Sequence, residues 1–528
     1  MRVTLLLVLV LFAKTIFAQD PLVLKYSQTI TAEELKQHLN VIASDAYEGR
    51  FTGAKGLEMA AEYLTKEFKS DELTGPVTGA ENPFYQVMDL EQKSWTKRRL
   101  TAGKQVFENH KDIIFIQSPT GEEEYEVIFA GYGIYSDKYN DYKNIDVKGK
   151  LVAFLLGEPV DKNGIYLVTG TKTQSLPVDT SINQKVEAIQ GKAMASMMRG
   201  AKGFILIEKN EKEGEKIMDL LNRYMGDVEV SFPGKKTNPM QSFPFLYMTP
   251  SKAAQLFGVK PKAFEKTVAG LLDTANSTSG LYTQKIKIEA EQKTESVKSA
   301  NVLGFIEGTD KKNEIVVLSA HYDHDGIKGG EVFNGADDNG SGTVSIIELA
   351  EAFATAKKEG HGPRRSMLFI AFTGEERGLL GSGYYAKHPI FSLDSTVVNL
   401  NIDMIGRIDK EHTEKPDYLY IIGADYLSSE LDSINKSIAQ TYAPELVLDY
   451  TYNAKDHPEH LYERSDQIKF AEKGVPVIFY FSGLHDDYHT PADDVDKINF
   501  EVMEKRVRMV FAAAWELANR EERVKVDK

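Results

Sequence analysis

Four short apolar runs in the C-terminal half of the chain constrain its fold more than any other feature. Asn313 to Ala320, Ser366 to Phe372, Val397 to Ile402 and Val475 to Phe481 are of strand length and rich in Val, Ile and Phe. Helical patterns separate or follow them, over Thr343 to Ala356, Leu379 to Lys387, Leu427 to Tyr442 and Phe500 to Asn519. Buried strands alternating with helices require an α/β fold with a largely parallel sheet covered on both faces. In such a sheet, ligands bind in the crevice outside the carboxyl ends of the strands.

Each of the four runs leads at that end into side chains able to hold a metal. The first ends at His321-Tyr322-Asp323 and the second at Thr373-Gly374-Glu375-Glu376. The third ends at Asp403, and the fourth leads through Ser482-Gly483-Leu484 to His485-Asp486-Asp487-Tyr488-His489. One such residue at one strand end is ordinarily a satisfied surface group; four coincident ends predict convergence. Between the first two runs lies the loop Asn334-Gly335-Ala336-Asp337-Asp338-Asn339-Gly340-Ser341-Gly342. Its position before a helix suits a phosphate cradle, but its two aspartates would repel a phosphate and suit a turn that presents an acid to cations.

The chain contains no cysteine, so a metal must be held by His, Asp and Glu. Amide hydrolysis without a cysteine or serine nucleophile needs an activated water. Two zinc ions roughly 3.5–4 Å apart can share a water, bring its pKa near neutrality and polarise a carbonyl. Such a pair asks for one bridging carboxylate, a histidine and an acid on each metal, and a further carboxylate to move the proton. Adjacent Glu375 and Glu376 can divide base and ligand between them. Asp323, two residues after His321 on an extended strand, shares its face and can fix its second ring nitrogen.

These stretches resemble the di-zinc aminopeptidases of metallopeptidase family 28, a group related to glutamate carboxypeptidase and glutaminyl cyclase. The matching segments are His321-Tyr322-Asp323-His324, the Asn334–Gly342 loop, Phe372 to Ser382, Asn399 to Gly406, and Tyr488-His489-Thr490-Pro491. The Glu48-Gly49-Arg50 turn with Gly53 resembles the family's N-terminal portion. The resemblance implies a three-layer α/β/α zinc-peptidase (phosphorylase/hydrolase-like) domain with a mostly parallel mixed sheet. It implies that Asp338 bridges two Zn2+ ions, that His321 and Asp403 hold one, and that Glu376 and His489 hold the other. It makes Glu375 the general base, Asp323 the residue that orients His321, and Tyr488 a stabiliser of the tetrahedral intermediate. Glu463-Arg464-Ser465-Asp466 aligns with a segment near the family's substrate cleft. With the ligand set complete, His324 and Asp325 are read as bystanders, Asp337 as a turn residue, and His457 and His460 as solvent-facing. His485 is placed in a loop.

Phe129 to Ile134, Asp146 to Lys150 and Gly200 to Gly203 resemble a protease-associated domain, a small β-rich insertion with no cluster of His and acids of its own. The expected organisation is a signal peptide over 1–18, an N-terminal peptidase portion over 19–109, the insertion over 110–290, and the main peptidase portion over 291–528. Arg2, the apolar run Val3 to Ala13 and Ala18 before Gln19 carry the leader reading. That run is shorter than a membrane span needs, so secretion or a periplasmic location without stable membrane insertion is expected. A net charge of -15 argues against a nucleic-acid partner, and peptides are the expected substrates. A zinc carboxypeptidase, a glutaminyl cyclase and a non-catalytic receptor-like protein are the alternatives. The first would need basic residues near the metals, with Arg377, Arg407 and Arg464 as candidates.

Overall fold

The computed structural model describes residues 19–175, 182–234, 243–271 and 280–528. The proposed leader, 1–18, lies outside them. The chain divides into two units: residues up to Met88 together with Ser299–Lys528, and Asp89–Lys298.

In the first unit the four apolar runs are strands, Lys311–His321, Arg365–Phe372, Thr396–Ile402 and Val477–Phe481. They pair in parallel in the order Val477–Phe481, Thr396–Ile402, Lys311–His321, Arg365–Phe372, with Ser319 opposite Asn401 and His321 opposite Phe372. Antiparallel neighbours flank this group: the end of Thr283–Ile306 on one side and Tyr418–Ile422 on the other. The parallel strand Val447–Asp449 extends it further. The result is the expected mixed, mostly parallel sheet.

Burial of both faces explains the apolar runs. Val316, Leu318, Ala320, Phe369 and Leu400 pack in one core with helices Ala32–Ile42, Gly342–Lys358 and Phe500–Asn519. Ile315, Val317, Leu368 and Ile370, one residue out of step, pack on the other side with Tyr385 and Phe470. Helix Ala32–Ile42 begins where its sequence says it should: Thr31 Oγ1 accepts from the Glu34 amide at 3.2 Å and donates to the Glu34 carboxylate at 2.7 Å.

The stretch up to Asn109 contains the long strand Tyr85–Ala102 and the strand Gln105–Glu108. Met88 and Leu90 are buried while Asp89 and Glu91 face outward or half-outward, and the strand's many charged residues disguise its pattern. This strand and Thr283–Ile306 both run through the unit boundary, so the second unit extends beyond 110–290 on both sides. That unit is also less purely β than expected. Gly121–Phe129, Leu151–Leu155, Gly203–Ile207 and Phe245–Met248 pair in parallel, accompanied by helices Ile182–Met197, Glu211–Tyr224, Pro250–Leu256 and Pro261–Gly270. Prolines at the first turn of the last two helices mark their starts.

Phe369 is fully buried, with its ring centroid 6.5 Å from Phe68 and 6.3 Å from Phe353. Phe369→Ala should lower the unfolding free energy of this unit by about 3–5 kcal/mol, measured by chemical denaturation.

Candidate metal centre

The sheet delivers its strand-end residues to one place. His321 closes its strand, Asp403 follows Ile402, and Glu375 and Glu376 follow the turn after Phe372. Asp338 lies in the turn of π-helix ahead of helix Gly342–Lys358. His321 Nε2 is 3.4 Å from Asp338 Oδ1 and 3.3 Å from Asp403 Oδ1. His489 Nε2 is 3.0 Å from Asp338 Oδ2 and 3.4 Å from Glu376 Oε2. The two oxygens of Asp338 therefore face two separate pairs, each a histidine and an acid. Donors around tetrahedral zinc lie about 3.4 Å apart when its bonds are about 2.1 Å, so both groups fit an ion.

The electrostatics agree. Burial opposes charge on His321, but the carboxylates of Asp403, Glu375 and Asp338 overcome it and hold the imidazole well above its usual pKa. Burial likewise opposes charge on Asp338, yet bonds from His321 and His489 hold it well below the ordinary carboxylate range. Metal binding to these histidines would displace their protons. Glu375 forms a close group with His321 and Asp403. Burial first, and then the charges of Glu376, Asp403 and Asp466, push its carboxyl well above the usual value. Tyr488 is next to His489, and its hydroxyl lies 3.4 Å from Arg464 Nη2.

A network of polar groups holds the donors. The nearest oxygen to His321 Nδ1 is the Asp323 carbonyl, at 3.1 Å, with the Asp323 carboxylate at 3.8 Å. That carboxylate instead accepts from the Glu375 amide at 3.1 Å and from Thr52 at 2.8 Å. Asn401 donates to Ser465 at 2.9 Å, and Ser465 donates to Asp403 Oδ2 at 2.7 Å. Asp493 accepts from the amides of Asp337 and Asp338, at 3.1 and 3.0 Å, and so seats the Asp337–Asp338 segment. Asp337 accepts from the Gly406 amide at 2.7 Å, and its other oxygen is 3.4 Å from His485 Nε2.

Sequence reasoning missed several of these supports. His324 and Asp325, read as bystanders, are buried within the site. Arg50 was noted only as part of a turn. Its fully buried guanidinium donates to the carbonyls of Tyr322 at 2.9 Å, Ile42 at 2.8 Å, Asn334 at 2.7 Å and Gly335 at 2.9 Å. Burial pulls its pKa down to about 10, with Asp323 and Asp338 opposing the shift, so it stays charged at neutral pH. A charged residue inside an otherwise glycine-marked turn was the available signal. His457 carries no contact to the donors, whereas Ser465 of the cleft segment does.

Residues 301–514 match the family model described as Peptidase family M28. The chain carries a Peptidase family M28 domain. Among relatives of this M28 domain, Aminopeptidase YwaD of Bacillus subtilis (strain 168) is 29% identical over 238 residues, covering 44% of this chain and 47% of that protein. A probable leucine aminopeptidase of Arthroderma otae is 29% identical over 238 residues, covering 44% of this chain and 61% of its own. The match thus spans about half of the first relative and three fifths of the second. Two solved structures share this chain's fold over nearly its whole length. The aminopeptidase from Aneurinibacillus sp. strain AM-1 has a TM-score of 0.57 at 18% identity, covering 96% of this chain and 98% of its own. BSAP, a zinc aminopeptidase from Bacillus subtilis, has a TM-score of 0.56 at 20% identity, covering 93% and 96%. At these identities the likeness is one of fold.

Arg50→Lys keeps the charge but not the planar five-donor fork. Leaving buried carbonyls unpaired should cost about 1–3 kcal/mol each. Chemical denaturation should register that loss, and metal uptake should weaken with it because two of the carbonyls belong to the loop of Asp338.

Proposed function

We propose that this chain is a secreted metallo-aminopeptidase that removes N-terminal residues from peptides with a pair of zinc ions. The observation that carries the reading is the sharing of Asp338 between two histidine–acid pairs, with Glu375 beside one of them. His321 and Asp403 would hold one ion, Glu376 and His489 the other, and Asp338 both. When bound, the zinc pair supplies Lewis acidity that lowers the pKa of a shared water and polarises the scissile carbonyl.

The chain's own groups supply the rest. Glu375 takes the proton from the attacking water and passes it to the leaving amine, which requires one carboxylate outside the ligand set. Asp323 fixes Glu375 from below through the backbone amide and fixes His321 through its own carbonyl. The Tyr488 hydroxyl is offered as a donor to the developing oxyanion, with Arg464 oriented behind it. Surplus carboxylate at the centre suits a substrate's terminal ammonium. Arg377 is engaged by Asp325 at 2.9 Å and Arg407 by Asp487 at 2.8 Å. Arg464 is likewise paired with Glu459 at 3.1 Å, so each of the three candidate cations for a carboxypeptidase's substrate already has an acidic partner, which favours the aminopeptidase reading. All clusters of metal-donor side chains found among the described residues lie in the first unit. The unit Asp89–Lys298 is read as a protease-associated insertion without chemistry of its own. The leader reading of 1–18 supports secretion, and no helix among the described residues is long and apolar enough to cross a membrane.

Peptides with free N-termini should be cleaved and N-blocked ones left intact. Preferential cleavage of blocked peptides would reject the aminopeptidase reading. Glu375→Gln should keep its metal and lose turnover by about 100-fold or more. Near-normal turnover in that variant would remove Glu375 as the base.

A further inference from the structure

His324 and Asp325 directly follow the strand of His321, and neither is needed to complete the two-metal set. Both are buried, at 0% and 4% exposure. Their side chains reach the two residues assigned to the same ion. His324 Nδ1 is 2.9 Å from Glu376 Oε1, the oxygen opposite the one that faces His489. Asp325 Oδ2 is 3.1 Å from His489 Nδ1, the nitrogen opposite the one that faces Asp338.

The dipeptide is itself held firmly. The His324 amide donates to the Arg50 carbonyl at 3.1 Å. The His324 ring packs against the backbone of Gly335, where a Cβ would meet ring atoms at 2.5 Å. Gly335 also has φ of +54°, so a larger residue is refused there on two grounds. Asp325 is anchored from the outside by Arg377 at 2.9 Å and by Lys328 at 2.7 Å. Arg377 in turn lies over the Phe51 ring, 4.6 Å from its centroid.

The two histidines assigned to metal therefore have different partners. His321 Nδ1 meets a neutral backbone carbonyl at 3.1 Å, with the Asp323 carboxylate farther off at 3.8 Å, whereas His489 Nδ1 meets a carboxylate at 3.1 Å. A carboxylate on the far nitrogen fixes the tautomer and makes imidazole a stronger donor to metal; losing such a partner typically weakens metal affinity about 10–100-fold. A donor on the outer oxygen of Glu376 likewise fixes the carboxylate's orientation.

We infer that His324 and Asp325 are a pair of positioning residues that lock Glu376 and His489, and that they make the ion held there the more tightly bound of the two. The inference rests on the two-metal reading above. It gives the site an order of loading: the Glu376–His489 position fills first, and the His321–Asp403 position follows.

Stepwise extraction of zinc from the full-length protein by a competing chelator tests this. The wild type should release two ions in two resolved steps. Asp325→Asn should weaken the tighter step about 10–100-fold and leave the weaker step where it was. His324→Leu should weaken the tighter step too. His324→Asn, whose amide can donate from near the Nδ1 position, should restore much of the loss. Circular dichroism of the zinc-saturated variants confirms that each is folded. Fewer than two ions on the wild type would reject the two-metal reading itself. Two ions on the wild type, with both steps unmoved in Asp325→Asn and His324→Leu, would overturn the inference. Equal loss in His324→Asn and His324→Leu would also overturn it, because His324 would then be a ligand rather than a support.

Discussion

The first unit is organised around a concentration of buried negative charge. Asp323, Asp325, Asp337, Asp338, Asp403, Asp466 and Asp493 are all buried, with the half-buried Glu375 and Glu376 beside them. Burying even one carboxylate costs several kcal/mol unless a partner compensates it. Arg50 compensates at one side and Arg377 with Lys328 at another, while the imidazoles of His321 and His489 are driven to protonate at the centre. Burial first, with the nearby charges of Asp323 and Asp403, pushes Asp466 up to about 7, and burial with the nearby charge of Asp337 pushes Asp493 up to about 6.

The rest of the architecture serves that concentration. Parallel pairing brings four strand ends to one edge, and the apolar cores on both faces of the sheet hold those ends in register. Polar chains then run from the sheet into the centre. Asn399 donates to Ser319 at 2.8 Å and Ser319 to Asn401 at 2.7 Å, and the path continues through Ser465 to Asp403. Arg50 connects the loop of Asp338 to the strand of His321. Fold and metal binding are therefore coupled in this protein: the same bonds that order the strand ends aim the donors.

The parts legible in the sequence were those with a local signature. The four strands announced themselves as apolar runs, and the donors were found because each follows such a run. The strand Tyr85–Ala102 was missed because its outward residues are charged and its inward ones include Gln86. Tyr418–Ile422, a buried five-residue strand, was missed as well. Supports of the centre were harder still. Arg50 acts on carbonyls 272 to 285 residues away, and side-chain pairing at that separation leaves no periodicity. His324 and Asp325 sat in plain view beside His321. They were passed over because counting ligands asks how many donors a metal needs, not what holds the donors still.

Anomalous scattering from crystals grown with zinc tests the central claim most directly. Two peaks are expected, sharing Asp338, with one against His321 and Asp403 and the other against Glu376 and His489. A single peak, or zinc seated away from Asp338, would contradict the account.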